Sequence, residues 1–60
     1  MLEYFKTVLS KVSFDKRLFE KELKKALNAL IPDEVTQLRD WCYAKFSEHE
    51  PILEKVFVGW

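Results

Sequence analysis

Apolar residues recur along the chain at helical spacing, in four blocks separated by polar or proline-containing breaks. The block from Val35 to Phe46 organises the rest. Val35, Leu38, Cys42 and Phe46 fall on one line at spacings of three, four and four, with Trp41 on one flank and Tyr43 on the other. Aromatics on both flanks widen the apolar face. A face that wide predicts a helix packed against two neighbours rather than one.

In the first block Leu2, Phe5, Leu9 and Val12 recur at three, four and three, with Val8 beside them, which predicts a helix of about three turns. Val12-Ser13-Phe14-Asp15 breaks the pattern. Asp15 is suited to N-cap the next helix, because its carboxylate can accept from free backbone amides. Phe14 before the cap and Phe19 in the following turn have the spacing of a hydrophobic staple; membership of both in a common core is an equivalent expectation. A second helix is expected from about Lys16 to Leu30. Phe19, Leu23, Ala26 and Leu30 form its stripe, Leu27 lies beside it, and Leu18 lies on the far flank. Glu20 precedes Lys24 by four residues, a favourable pair.

Pro32 punctuates next. It biases Ile31 away from helical backbone and suits the first turn of a new helix, whose positive end Asp33 and Glu34 complement. The central helix should reach about Ser47. Ser47-Glu48-His49-Glu50 reads as a solvated loop, and Pro51 suits an early position of a short fourth helix, with Ile52, Leu53, Val56 and Phe57 on one face. Gly59 is a plausible stop, with Trp60 on the same side if the helix extends to it. A strand over Val56-Phe57-Val58 would have nothing to pair with. The expected fold is all-α: one domain over residues 1–60, an antiparallel three-helix bundle with a short fourth C-terminal helix.

The segments LSKVSFD (9–15), LFEKELKKAL (18–27), an isolated proline at 32 and LRDWCYAKF (38–46) together resemble a group of small uncharacterised bacterial proteins of similar length. The resemblance spans roughly residues 2 to 46. It implies a bacterial cytoplasmic protein and carries no functional residue with it.

Size sharpens the question of stability. A chain of 60 residues buries only about 60% of the surface it exposes when unfolded. Reinforcement normally comes from disulfides, metals or oligomerisation. The single cysteine cannot form an internal disulfide, and one Cys with one His cannot supply a four-ligand structural zinc site. Dense packing and self-association remain. The start of the chain, MLEYFKTVLSKV, lacks the apolar core of a secretory signal, and no apolar run approaches the ~20 residues of a membrane span. With a lone cysteine, these features suggest a reducing cytoplasm and no membrane partner.

Candidate chemistry is sparse. Cys42 and His49, the one nucleophile–base pair available, are two turns apart on a helix, about 10 Å by the helical rise, beyond hydrogen-bonding reach. Arg39 and Lys45 would lower the Cys42 pKa if the thiol were exposed, but it sits mid-stripe. Glu48, His49 and Glu50 would need further ligands to hold a metal. Gly59 is the only glycine, so no phosphate cradle exists. No catalytic, metal or cofactor residues are expected, and the chain does not read as an enzyme.

Charge is uneven, although the net charge is zero. Residues 15 to 31 carry five basic and three acidic side chains, net +2; residues 32 to 50 carry two and five, net −3. Complementary packing of neighbouring helices would explain this. The alternative is that Arg17, Lys21, Lys24 and Lys25 contact phosphates. A helix–turn–helix of the second and third helices would present Asp33, Glu34, Thr36, Gln37 and Asp40 to DNA, and three of those repel it, so nucleic acid is disfavoured. The aromatic surplus points elsewhere. Trp41, Tyr43, Phe57 and Trp60, if partly exposed, are candidate partner-binding residues. The leading expectation is a non-catalytic helical interaction module that binds another protein or itself as a homodimer; the alternative is a nucleic-acid-associated accessory protein using the basic face of the second helix.

Overall fold

The computed structural model describes residues 1–59. Four α-helices follow one another: α1 (Leu2–Val12), α2 (Lys16–Ala29), α3 (Pro32–Lys45) and α4 (Glu50–Val58), with a 3-10 turn (Ser47–His49) between the last two. No strand occurs among the described residues, and Val56-Phe57-Val58 is helical.

Local chemistry sets the boundaries. Asp15 has extended backbone (φ −122°, ψ 110°), and its Oδ1 accepts from the Arg17 and Leu18 amides at 2.9 and 3.2 Å. Two of the four free donors at the α2 start are thereby satisfied. Leu30 and Ile31 are both extended, as the residue before Pro32 must be to clear the proline ring. The Ile31 amide donates to Glu34 Oε1 at 3.3 Å. This is the return half of a capping box; isoleucine has no acceptor for the other half. Gly59 caps α4 with right-handed backbone (φ −75°), so its special left-handed freedom is not used.

The core is one cluster drawn from every helix. It contains Phe5 and Leu9 of α1; Phe19, Leu23, Ala26 and Leu27 of α2; Val35, Leu38 and Cys42 of α3; and Leu53 and Val56 of α4, with Leu30 and Phe46 from the links. All four members of the organising line are buried, and the principal helix neighbours of α3 are α1 and α4, the two expected from its wide face. The helices close a ring in the order α1, α2, α4, α3. Thus α4 is a full wall of the bundle, seated between α2 and α3, and the successive helices α2 and α3 face each other across the ring. They meet in its centre, where Phe19 packs edge-on to Phe46 at 5.1 Å between ring centroids.

That ring order corrects the charge expectation. No ion pair joins α2 to α3 among the described residues. Lys24–Glu20, Lys25–Glu22, Lys6–Glu3 and Arg39–Asp40 are local, and the cross-helix pair is Lys55–Glu20 at 3.3 Å, between α4 and α2.

Candidate functional site

The paired features singled out in the sequence separate in space. Trp41 lies on the α1 side of α3. It packs edge-on against Phe46 at 5.3 Å, with Lys6 Nζ and Lys45 Nζ at 5.7 and 5.5 Å from its ring. Both ammonium groups are within cation–π range. Tyr43 lies on the α4 side, 6.4 Å from Phe57 between ring centroids. All three aromatics are half-buried against the core; Tyr43 and Phe57 pair between α3 and α4, apart from Trp41 on the α1 side, so the three do not form one patch. Trp60 lies outside the described residues. Arg17, Lys21, Lys24 and Lys25 are all exposed, but Lys24 and Lys25 are engaged by Glu20 and Glu22. The two lysines on Glu20, Lys24 and Lys55, hold its carboxyl below the usual carboxylate range. Its contribution to stability is present at neutral pH and fades as acid protonates it.

Cys42 is fully buried, and desolvation pushes its thiol up to about 12. A thiol held neutral at physiological pH is a poor nucleophile. The flanking Arg39 and Lys45 do not offset the burial.

His49 is not in a solvated loop. It is 7% exposed, and its ring lies 4.8 Å from that of Phe19 and 6.1 Å from that of Phe46. The turn is held by the Phe46 amide on the Cys42 carbonyl at 2.7 Å and the His49 amide on the Phe46 carbonyl at 2.9 Å. His49 Nε2 is 2.7 Å from the Ser13 carbonyl oxygen. A carbonyl only accepts, so Nε2 carries the proton. Nδ1 is buried and without a hydrogen-bond partner. The imidazole is a bolt joining the α1–α2 turn to the α3–α4 joint, and neither Cys42 nor a cluster of metal ligands forms a site with it among the described residues.

The most exposed aromatic of the described residues is Phe14, at 82%. The staple with Phe19 does not form, because Phe19 turns fully into the core while Phe14 points out from the α1–α2 turn. Leu18, one helical turn on, is 40% exposed. The two form an apolar corner at the start of α2. Its signal in the sequence was the pattern break at Ser13-Phe14, where neither flanking helix places Phe14 on its stripe. Tyr4, Ile31 and Val58 are also exposed, at 61, 59 and 83%. An open groove of about 300 Å³ runs between α2 and α4, lined by Lys24, Leu27, Asn28, Lys55, Val56 and Gly59.

Comparison with protein-family models, with curated proteins and with solved structures finds no match for this chain. The site must be judged on its own chemistry.

Proposed function

We propose that this chain is a small, non-catalytic helical protein–protein interaction module that docks through the Phe14–Leu18 corner. One observation carries the reading: the chain closes a continuous core yet leaves Phe14 82% exposed beside a half-exposed leucine. Placing an aromatic in water gains nothing for folding, whereas aromatic anchors dominate the centres of protein interfaces. The only thiol is buried and neutral, and the histidine is a structural tie, so the chemistry on hand favours binding over catalysis. The short links suggest helices that alternate in direction. In that arrangement the α1–α2 turn and the α3–α4 joint share one end of the bundle, as the His49–Ser13 contact requires. A free buried thiol suits a reducing compartment, and we place the module in the cytoplasm. The resemblance to small bacterial helical proteins points the same way.

The test is a photo-crosslinking amino acid at position 14, compared with the same probe at Gln37 on the exposed face of α3. Protein adducts at position 14 that are absent at 37, and that disappear when Leu18→Ser is added, support the reading. Equal or absent adducts at both positions would reject it.

A second reading rests on Arg17 and Lys21, which have no ion-pair partner among the described residues. They could contact phosphates as a nucleic-acid accessory surface. That reading expects weak binding that falls steeply with salt and is lost in the Lys21→Glu, Lys24→Glu double variant. Binding that is unchanged in that variant at low salt would end it.

A further inference from the structure

The charges around Phe14 narrow the choice of partner. Lys11, Lys16, Arg17 and Lys21 are exposed, and none pairs with a carboxylate among the described residues. All four come from the end of α1 and the first half of α2, on either side of Phe14 and Leu18. The nearby Asp15 carboxylate is engaged by two amides, and Glu20 by two lysines.

Carboxylates are carried by the element tied to this turn. The His49–Ser13 hydrogen bond, at 2.7 Å, pins the 3-10 turn to the residue that precedes Phe14. Glu48 and Glu50, on either side of His49, are exposed and unpaired among the described residues. This end of the fold therefore carries an exposed aromatic, cations from α1 and α2, and, on the joint bonded to Ser13, two free carboxylates.

An isologous interface requires a patch complementary to itself, and one with both signs of charge beside an apolar anchor can meet that requirement: a two-fold axis at the anchor would bring Phe14 onto Phe14 and let each copy's cations meet the other copy's carboxylates. An anionic lipid surface or a nucleic acid would meet the cations but also Glu48 and Glu50, and like charge is costly at an interface. We propose that the occupant of the Phe14 corner is a second copy of this chain, related by a two-fold axis, with Phe14 against Phe14 and with Lys16 and Arg17 of each copy facing Glu48 and Glu50 of the other. This rests on the reading of the corner as a docking surface.

The size of the patch sets the strength. A standard interface buries roughly 800 Å² per partner, about a fifth of the 3976 Å² surface of this chain. The corner offers one exposed aromatic and one half-exposed leucine as its apolar anchor, so the dimer is weak, with a dissociation constant on the order of 100 µM.

Sedimentation equilibrium from 10 µM to 1 mM, on the order of the expected constant, tests the inference on the full chain. Four proteins are compared: wild type, Phe14→Ser, the pair Lys16→Glu with Arg17→Glu, and the pair Glu48→Lys with Glu50→Lys. Wild type should dimerise, and each variant should weaken dimerisation at least about tenfold, the effect of losing roughly 1.4 kcal/mol. An equimolar mixture of the two charge-reversed proteins should recover wild-type association, because both contacts become attractive again. A misfolded variant could not show that recovery. A strictly monomeric wild type would overturn the proposal, and so would a dimer that is indifferent to Phe14→Ser or a mixture without recovery. Monomers that bind phosphatidylserine vesicles or duplex DNA through Phe14 would assign the corner to that occupant and overturn the second copy. Position-14 crosslinks to other proteins by a monomeric chain would leave the interaction module standing without self-association.

Discussion

Phe14 and Phe19 are the same residue type, five positions apart, with opposite fates. Phe19 is fully buried and touches the rings of both Phe46 and His49; Phe14 is 82% exposed. The difference arises between them, at Asp15. Its cap starts α2 and fixes which way the helix faces, so Phe19 falls on the stripe with Leu23, Ala26 and Leu30. Phe14 lies before the cap, on backbone committed to the turn, and the space beneath that turn is taken by His49. One aromatic is packed into the fold, and the other is left exposed on its surface.

Truncating each ring should separate the two positions most widely. Phe19→Ala should cost about 3–5 kcal/mol by leaving a cavity at the centre of the ring of helices. Urea unfolding would measure it, and for a domain this small the loss could leave little folded protein. The same change at Phe14 should stay within about 0.5 kcal/mol at low concentration.

Next in size is an alkaline effect seated in the same core. The Cys42 thiol rises from 9.0 to about 12 on folding, because burial disfavours the thiolate. Between those values the unfolded chain loses its proton while the folded chain keeps it, so stability falls as pH rises. The loss approaches roughly 4 kcal/mol near pH 12 and should be absent from Cys42→Ala. Thiol labelling at neutral pH should likewise follow unfolding.

A smaller effect is expected at the bolt. His49→Phe keeps an aromatic between Phe19 and Phe46 but leaves the Ser13 carbonyl without its donor. The loss of about 1–3 kcal/mol is partly offset by removal of the unpartnered Nδ1. Melting curves should show a modest drop, and amide exchange should rise at the α1–α2 turn. No change at all would mean that the turn is held by α1 and α2 alone.

Much of the fold was legible because helical periodicity reports burial directly. The lines Phe5–Leu9, Phe19–Leu23–Ala26–Leu30 and Val35–Leu38–Cys42–Phe46 all enter the core. Asp15 and Pro32 start their helices as their chemistry dictates. What periodicity cannot report is which helices become neighbours. The seating of α4 between α2 and α3 turned the expected α2–α3 charge match into a cross-ring separation. It also divided the expected aromatic surface, sending Trp41 to α1 and Tyr43 to Phe57 on α4. The burial of His49 is hidden from periodicity for a related reason. Its flanking glutamates look solvated, and only the contact with Ser13, 36 residues away, draws the ring inside. Both expectations for Phe14, a staple with Phe19 and a place in the core, follow from its apolar type, although its position off both stripes already sets it apart.

The most direct test of this division of labour is urea unfolding of wild type and Phe14→Ser over a wide range of protein concentration. A dimer linked through Phe14 makes the wild-type midpoint climb with concentration. The two proteins should coincide when dilute and diverge when concentrated, with the variant's midpoint staying constant. A wild-type midpoint independent of concentration, with the variant lower by the same margin throughout, would contradict it and return Phe14 to the fold.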